Sequence, residues 1–135
     1  QAEAMYSGNE YVTSELISSY AWDTALNFIC QTNEEGYLLA TTTDTSYGNI
    51  GTNNRMKTGE YEIDNYSNIY DLLGNCMEWT AEYSTNTKDG ITYPCVSRGG
   101  NYNGNSAYAA IRYDNTMIIS SHYSSFRLQL YINET

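Results

Sequence analysis

Asp71-Leu72-Leu73-Gly74-Asn75-Cys76-Met77-Glu78-Trp79-Thr80 is the stretch on which the fold turns. Its second half alternates. Met77, Trp79 and Ala81 stand against Glu78, Thr80 and Glu82, a period of two that predicts a strand with an apolar face. Its first half carries the tight Gly74-Asn75 pair, flanked by the carboxylates of Asp71 and Glu78. Downstream, Asn86 to Gly90 reads as a turn and Thr92 to Arg98 as a second strand. Gly99-Gly100 ends it, because two residues without a Cβ permit a bulge or a close backbone approach. Phe126, Leu128, Leu130 and Ile132 alternate with Arg127, Gln129 and Tyr131, which predicts a last strand closing the sheet.

Upstream, a cap at Ser18 or Ser19 precedes Trp22, Ala25, Leu26 and Ile29, spaced as one face of an amphipathic helix that ends between Cys30 and Thr32. Trp22, Leu26 and Ile29 are its expected buried face. Residues 1 to 13 read as an irregular lead, and Tyr37 to Ala40 as a short strand. From Thr41 to Asn68 apolar periodicity fades into Thr, Ser, Asn, Gly and Asp. That predicts a long loop packed over the core by Tyr47, Ile50, Met56, Tyr61, Ile63 and Tyr66.

A chain of 135 residues suffices for one domain with one core, spanning 1–135. Its formal net charge of −10, with six Lys and Arg in all, excludes the clustered cations that a phosphate backbone requires and disfavours anionic membrane surfaces. No apolar run is long enough for membrane insertion, and no basic segment followed by an apolar one opens the chain. Three cysteines cannot all pair with one another, and no C-x-x-C spacing occurs. They read as buried free thiols, with a Cys30–Cys95 or Cys76–Cys95 bridge as the alternative. His122 is the single histidine and reads as a polar loop side chain, and Asp23 as a solvated or capping group.

The run from Asn101 to Ser125 is set apart by composition. It holds no Lys, Glu, Gln, Trp, Phe, Pro or Cys, while Asn, Tyr, Ser and Ala fill most of it. Tyr supplies rigid amphipathic area, and Ser and Asn supply adaptable hydrogen bonds, a mixture suited to a recognition surface. Ile111, Met117, Ile118 and Ile119 read as apolar pins holding the run to the core.

At three ordered places the chain resembles the formylglycine-generating enzyme, or sulfatase-modifying factor, family. They are Tyr70-Asp71-Leu72-Leu73-Gly74-Asn75-Cys76-Met77-Glu78-Trp79, then Arg98-Gly99-Gly100-Asn101-Tyr102, then Ser125-Phe126-Arg127. Tyr20-Ala21-Trp22-Asp23-Thr24-Ala25 resembles the family's Trp-Asp-x-Ala helix more weakly. The resemblance implies an α+β, C-type lectin-like fold with small antiparallel sheets, one or two helices and much irregular loop. Met77 departs from the family's Trp and Ser125 from its Gly, and little of the family's opening strand and helix is expected upstream of Trp22, which leaves two expectations: a fragment completed by an upstream segment of the same protein, or a shortened version of the fold. The family's copper-binding active-site cysteines would fall near Gly104 and Ala109, which cannot supply a thiolate.

Within that superfamily the chain looks most like the variable proteins of diversity-generating retroelements. Randomising template adenines there converts an Asn codon into a restricted set of residues, and Asn101 to Ser125 stays within that set apart from Met117. The resemblance therefore implies a non-enzymatic, receptor-like or adhesin-like protein with a variable ligand-binding region at 101–125, from a bacterium or its phage. The expected contact residues are Tyr102, Asn103, Asn105, Ser106, Tyr108, Tyr113, Asp114, Asn115, His122 and Tyr123. The partner would be a protein or cell-surface ligand met at a cell surface, in secretion or on a phage particle. No cofactor is required. The family does imply a calcium site from Asp71, carbonyls near Gly74 and Cys76, and Glu78, against which stands pairing of these carboxylates with Arg98 or Arg127. Two other readings compete: a formylglycine-generating-type oxidase and a lectin-like carbohydrate-binding module. The sole proline, Pro94, lies outside any Glu-Pro-Asn or Gln-Pro-Asp sugar motif.

Overall fold

The computed structural model describes residues 1–60, 62–104, 107–116 and 121–133. Strand β1 (Val12–Leu16) leads into α1 (Ser19–Thr32) and α2 (Gly36–Thr41). A loop with 3-10 turns at Thr45–Tyr47 and Glu62–Asp64 follows, then a small hairpin of β2 (Asn65–Tyr66) and β3 (Ile69–Tyr70). After β4 (Met77–Tyr83) come β5 (Thr87–Lys88), β6 (Ile91–Thr92), β7 (Cys95–Arg98), β8 (Arg112–Asn115), β9 (Ser124–Phe126) and β10 (Leu128–Ile132). The chain is α+β, with small sheets, two helices and much loop.

The largest described sheet has the order β8-β7-β4-β9. β7 runs antiparallel to β4 and β8, whereas β9 lies parallel to β4, with Met77 opposite Ser124 and Trp79 opposite Phe126. The expected single closing strand is thus two. Arg127 interrupts it, and β10 turns away to pair antiparallel with β1, from Val12 opposite Ile132 to Leu16 opposite Leu128. The opening strand expected to be scarce is present. Its signal is weak because its inward residue is Ser14, 1% exposed, whose hydroxyl donates to the Ala2 carbonyl at 2.7 Å.

Helix α1 begins where Ser18 Oγ accepts the Ala21 N–H at 3.1 Å, satisfying one orphan donor of the first turn. Trp22, Leu26 and Ile29 are buried as their spacing predicts. The expected strand at Tyr37 to Ala40 is instead helix α2. Gly36 sits so close to the Ile29 carbonyl that only glycine lets the second helix abut the first. Leu39 is buried while Tyr37 and Leu38 are exposed, and six residues are too few to reveal that helical period. Of the expected loop pins, Ile50 and Tyr66 enter the core, Tyr47 packs against it, Met56 is half-buried and Ile63 is exposed. Tyr61 lies outside the described residues.

Strand β4 reverses its predicted polarity. Glu78 and Thr80 point inward, while Met77 and Trp79 are half-buried and Ala81 is exposed. The inward polar face is stable because each group has a partner. Thr80 Oγ1 donates to the Val96 carbonyl at 3.1 Å, and Arg127 grips Glu78 through Nε to Oε2 at 2.8 Å and Nη2 to Oε1 at 2.9 Å. All three cysteines are free thiols, with Cys76 buried and Cys30 and Cys95 half-buried.

Trp22, at 0% exposure, joins the elements together. Its Nε1 donates to the Ala109 carbonyl at 3.0 Å, and the guanidinium carbons of Arg98 and Arg127 lie 5.8 and 5.9 Å from its ring centroid. Truncation to Trp22→Ala should therefore cost about 3–5 kcal/mol, read as a lower urea midpoint. Tyr20→Ala, two residues earlier at an 84% exposed position, should stay within about 0.5 kcal/mol of the parent.

Candidate functional site

The distinctive run starts at the end of β7. Gly99 and Gly100, both at positive φ, let the chain pass beneath core atoms: a Cβ on Gly99 would stand 2.8 Å from the Leu72 carbonyl oxygen, and one on Gly100 would collide with Ala107. The run is then pinned from within by small residues. Ala107 and Ala109 are buried, and the Ala109 N–H donates to the Leu39 carbonyl at 3.2 Å. The expected pins fare differently. Ile111 is only half-buried, and Met117, Ile118 and Ile119 lie outside the described residues.

The predicted contact residues separate into two patches. In the first, the Tyr102 and Tyr123 rings meet at 5.3 Å between centroids, His122 stacks on Tyr123 at 4.1 Å, and Asn103 Nδ2 donates to the Tyr123 hydroxyl at 3.2 Å. This patch is bolted to the opening motif: the Tyr102 N–H donates to the Asn75 carbonyl at 3.0 Å, and the Met77 N–H to the Tyr123 carbonyl at 2.8 Å. The second patch is β8 with Tyr108. Tyr108 and Tyr113 are 37% and 38% exposed, Asp114 is exposed and Asn115 half-buried. Asn115 Nδ2 donates to Ser97 Oγ at 2.7 Å, so this side chain serves the sheet more than the solvent. Asn105 and Ser106 lie outside the described residues.

Residues outside the run complete the second patch, and no local motif announces them. Asn86, Thr87, Lys88 and Tyr93 face Arg112, Tyr113 and Asp114 across an open trough of about 420 Å³. Asn86 donates to the Asp114 carboxylate, and hydrogen bonds from Asn86 and Ser84 hold that carboxyl below the usual carboxylate range. Arg112 pairs with Glu82.

The residues of the implied calcium site are partly gathered. Asp71, Cys76 and Glu78 line a recess of about 170 Å³ with Arg55, Asn75 and Ser125. Gly74, at φ +82°, bridges to Asn49, and a Cβ there would collide with the Asn49 carbonyl. The Glu78 carboxylate is taken up by Arg127, while Asp71 Oδ2 is buried without a hydrogen-bond partner among the described residues. Oxygen donors of this kind suit a hard cation. Burial pushes the Cys76 thiol up, away from the thiolate a redox or copper role needs. Asp23, read as solvated or capping, is exposed and in addition pairs with buried Arg98, whose Nη2 also donates to the Ala110 carbonyl at 3.3 Å.

Asp64 was invisible as a special residue in the sequence. It is 2% exposed, and its carboxyl is buried against the Asp71 carboxyl and the Asn49 backbone with no cation beside it among the described residues. Burial, then the neighbouring Asp71 charge, push it up to about 7. The folded chain therefore holds a proton there that the unfolded chain, titrating near ~3.9, releases earlier. This term favours folding most at low pH and is lost as pH rises through about 7. In metal-free buffer the melting temperature should fall between weakly acidic and weakly alkaline pH, by a free energy on the order of 1–4 kcal/mol. Asp64→Asn, which mimics the protonated acid, should flatten that slope, and an unchanged slope would remove Asp64 as its cause.

No family model and no curated protein matches the chain. Among solved structures, Treponema denticola variable protein 1 is similar, with a TM-score of 0.63 and 18% sequence identity over 93% of this chain and 49% of that one. This chain thus spans about half the length of that protein, and what the two share at this identity is the fold of a variable protein.

Proposed function

We propose that this chain is a non-enzymatic ligand-binding domain with a C-type lectin-like fold, its residues 101–125 diversified by a retroelement and carrying the contact surface. One observation carries the reading: the segment whose composition matches adenine-directed variation presents Tyr102, Asn103, Tyr108, Tyr113, Asp114, His122 and Tyr123 in two patches, on a fold shared with a protein termed variable. Support for a division of labour comes from the same segment. Its backbone is held by Ala107, Ala109 and the two glycines, so the surface side chains can change while the frame keeps its contacts. The partner is a protein or cell-surface ligand.

The oxidase reading has little to stand on. Ala109, where a cysteine would be needed, is 0% exposed and locked to Trp22, and Gly104 offers no side chain. Calcium belongs to the proposal as an optional ligand of Asp71, with the Gly74 and Cys76 carbonyls and Glu78. A ligand bound only by the folded state must raise the melting temperature, so a melt unmoved by calcium would delete it.

Nucleotide comparison of the locus tests diversification directly. A near-identical repeat differing at adenines, beside a reverse transcriptase gene, is expected, and its absence would overturn that part. Protein variants test the surface. Tyr108→Ala, Tyr113→Ala and His122→Ala should change partner choice while stability stays within about 0.5 kcal/mol, with about 1 kcal/mol for Tyr123→Ala because its stacking is lost. A set of such variants that all unfolded would sink the binding role.

A further inference from the structure

We propose that the recess beside the first patch is an anchor pocket for the ammonium group of a lysine side chain on the partner. This rests on reading 101–125 as the binding surface, and it adds the chemistry of what that surface takes and a wall from outside the run.

The recess is shared between the run and the scaffold. Ser124 and Ser125 line it from the run, Met56 and Thr58 from the long loop, and Asp71 and Glu78 from the opening motif. Tyr123, whose ring belongs to the first patch, immediately precedes Ser124, and the Tyr102 N–H donates to the carbonyl of Asn75, itself on the lining. A partner laid on that patch therefore has the recess within reach. Its wall is set in advance: Asn75 Oδ1 accepts the Met56 N–H at 3.0 Å and Asn75 Nδ2 donates to the Met56 carbonyl at 3.1 Å, which clamps the loop onto the motif. At about 170 Å³ the recess is smaller than the ~300 Å³ at which small-molecule sites begin, and it suits a single side chain.

The charge favours a cation. Asp71 is 7% exposed, lines the recess and has its Oδ2 buried without a hydrogen-bond partner among the described residues. The carboxyl of Asp64, also buried, lies against it. Arg55 is the cation on the lining, but it is exposed, and water screens its charge far more than that of a buried carboxylate. The chain as a whole carries −10, which steers a positive group inward.

The acceptors left on the lining fit an ammonium better than a metal. Arg127 Nε and Nη2 take Glu78 Oε2 and Oε1 at 2.8 and 2.9 Å, and Asn75 Oδ1 already accepts from Met56 and Asn49. What remains among the lining side chains is the Asp71 carboxylate with the hydroxyls of Thr58, Ser124 and Ser125. Calcium takes about 6–8 oxygens, whereas an ammonium has three N–H donors, which one carboxylate and two hydroxyls satisfy. Among the described residues no group of three or more His, Cys, Asp or Glu is placed to hold a metal. Half-buried Met56 gives the apolar stem of a lysine a surface to lie on.

The probe is n-butylammonium chloride, with n-butanol as its uncharged counterpart, added to the whole chain and followed by amide NMR shifts. Saturable shifts are expected at Thr58, Cys76, Ser124 and Ser125 with the ammonium and not with the alcohol. Asp71→Asn should weaken binding about tenfold, and Ser125→Leu, which fills the recess from the run side, should abolish it. N-acetyl-lysine methylamide, the same ammonium on a peptide backbone, should bind at least as tightly; binding of the free amine alone would overturn the assignment to a partner's side chain. The inference also fails if no saturable shift appears, if the alcohol reproduces it, if both variants leave it unchanged, or if calcium occupies the recess and the ammonium does not. These probes need no partner, so the reading of 101–125 as a contact surface stands or falls separately, on whether substitutions at Tyr102, Tyr108 and His122 change partner choice.

Discussion

One indole ring, fully buried, has two guanidinium groups packed over it. Trp22 comes from the first helix, Arg98 from the end of β7 and Arg127 from the break between β9 and β10. Each contact is worth on the order of 0.5–2 kcal/mol, modest alone. Together they fix three distant pieces of chain to one point. Neither guanidinium could be placed there unaided, because a buried cation needs a counter-charge. Arg127 has Glu78 and the Tyr70 carbonyl, the latter at 2.7 Å, and Arg98 has Asp23 and the Ala110 carbonyl. Arg98 Nε and Nη1 lack partners among the described residues, so the face of Trp22 supplies part of what hydrogen bonds do not.

Around this point the interior is polar where a small sheet would ordinarily be greasy. Glu78, Thr80, Asp71 and Asp64 are all buried beside Leu72, Leu73 and Ile50. Burial pushes Glu78 above the usual carboxylate range against the pull of Arg127, and it pushes Asp64 up as well, where the neighbouring charge is another carboxylate. Paired ions of this kind contribute little net stability, but removing one partner strands the other. Such a core resists exchange of its central residues, and the freedom to vary is displaced to the periphery.

How far the residues foretold this differs by element. Helix α1 was readable because Trp22, Leu26 and Ile29 repeat at the helical period over about two turns of chain. The motifs around Gly74 and Gly99 were readable because positive φ and close approach leave glycine few substitutes. Helix α2 was not, with one buried leucine in six residues, and β4 misled because Glu78 and Thr80 face inward only by virtue of partners far along the chain. Of the surface, the run itself stood out by composition. The hairpin wall at Asn86 to Tyr93 could not, since its proximity to β8 is a product of topology and leaves no local trace.

The two arginines have a further consequence. Because Arg98 and Arg127 converge on the same ring, the two ends of the stretch from Gly99 to Phe126 are held at one point, to which the Ala109 and Ala110 carbonyls also tie its middle. For such a loop the entropy of closure grows only logarithmically, by about 0.6 kcal/mol for each doubling of length. Insertions at exposed positions such as Asn103 or Tyr108 are thus a matter of length as cheaply as of identity, provided Ala107 and Ala109 keep their places. The clasp sets the scale of what the segment between its jaws can become.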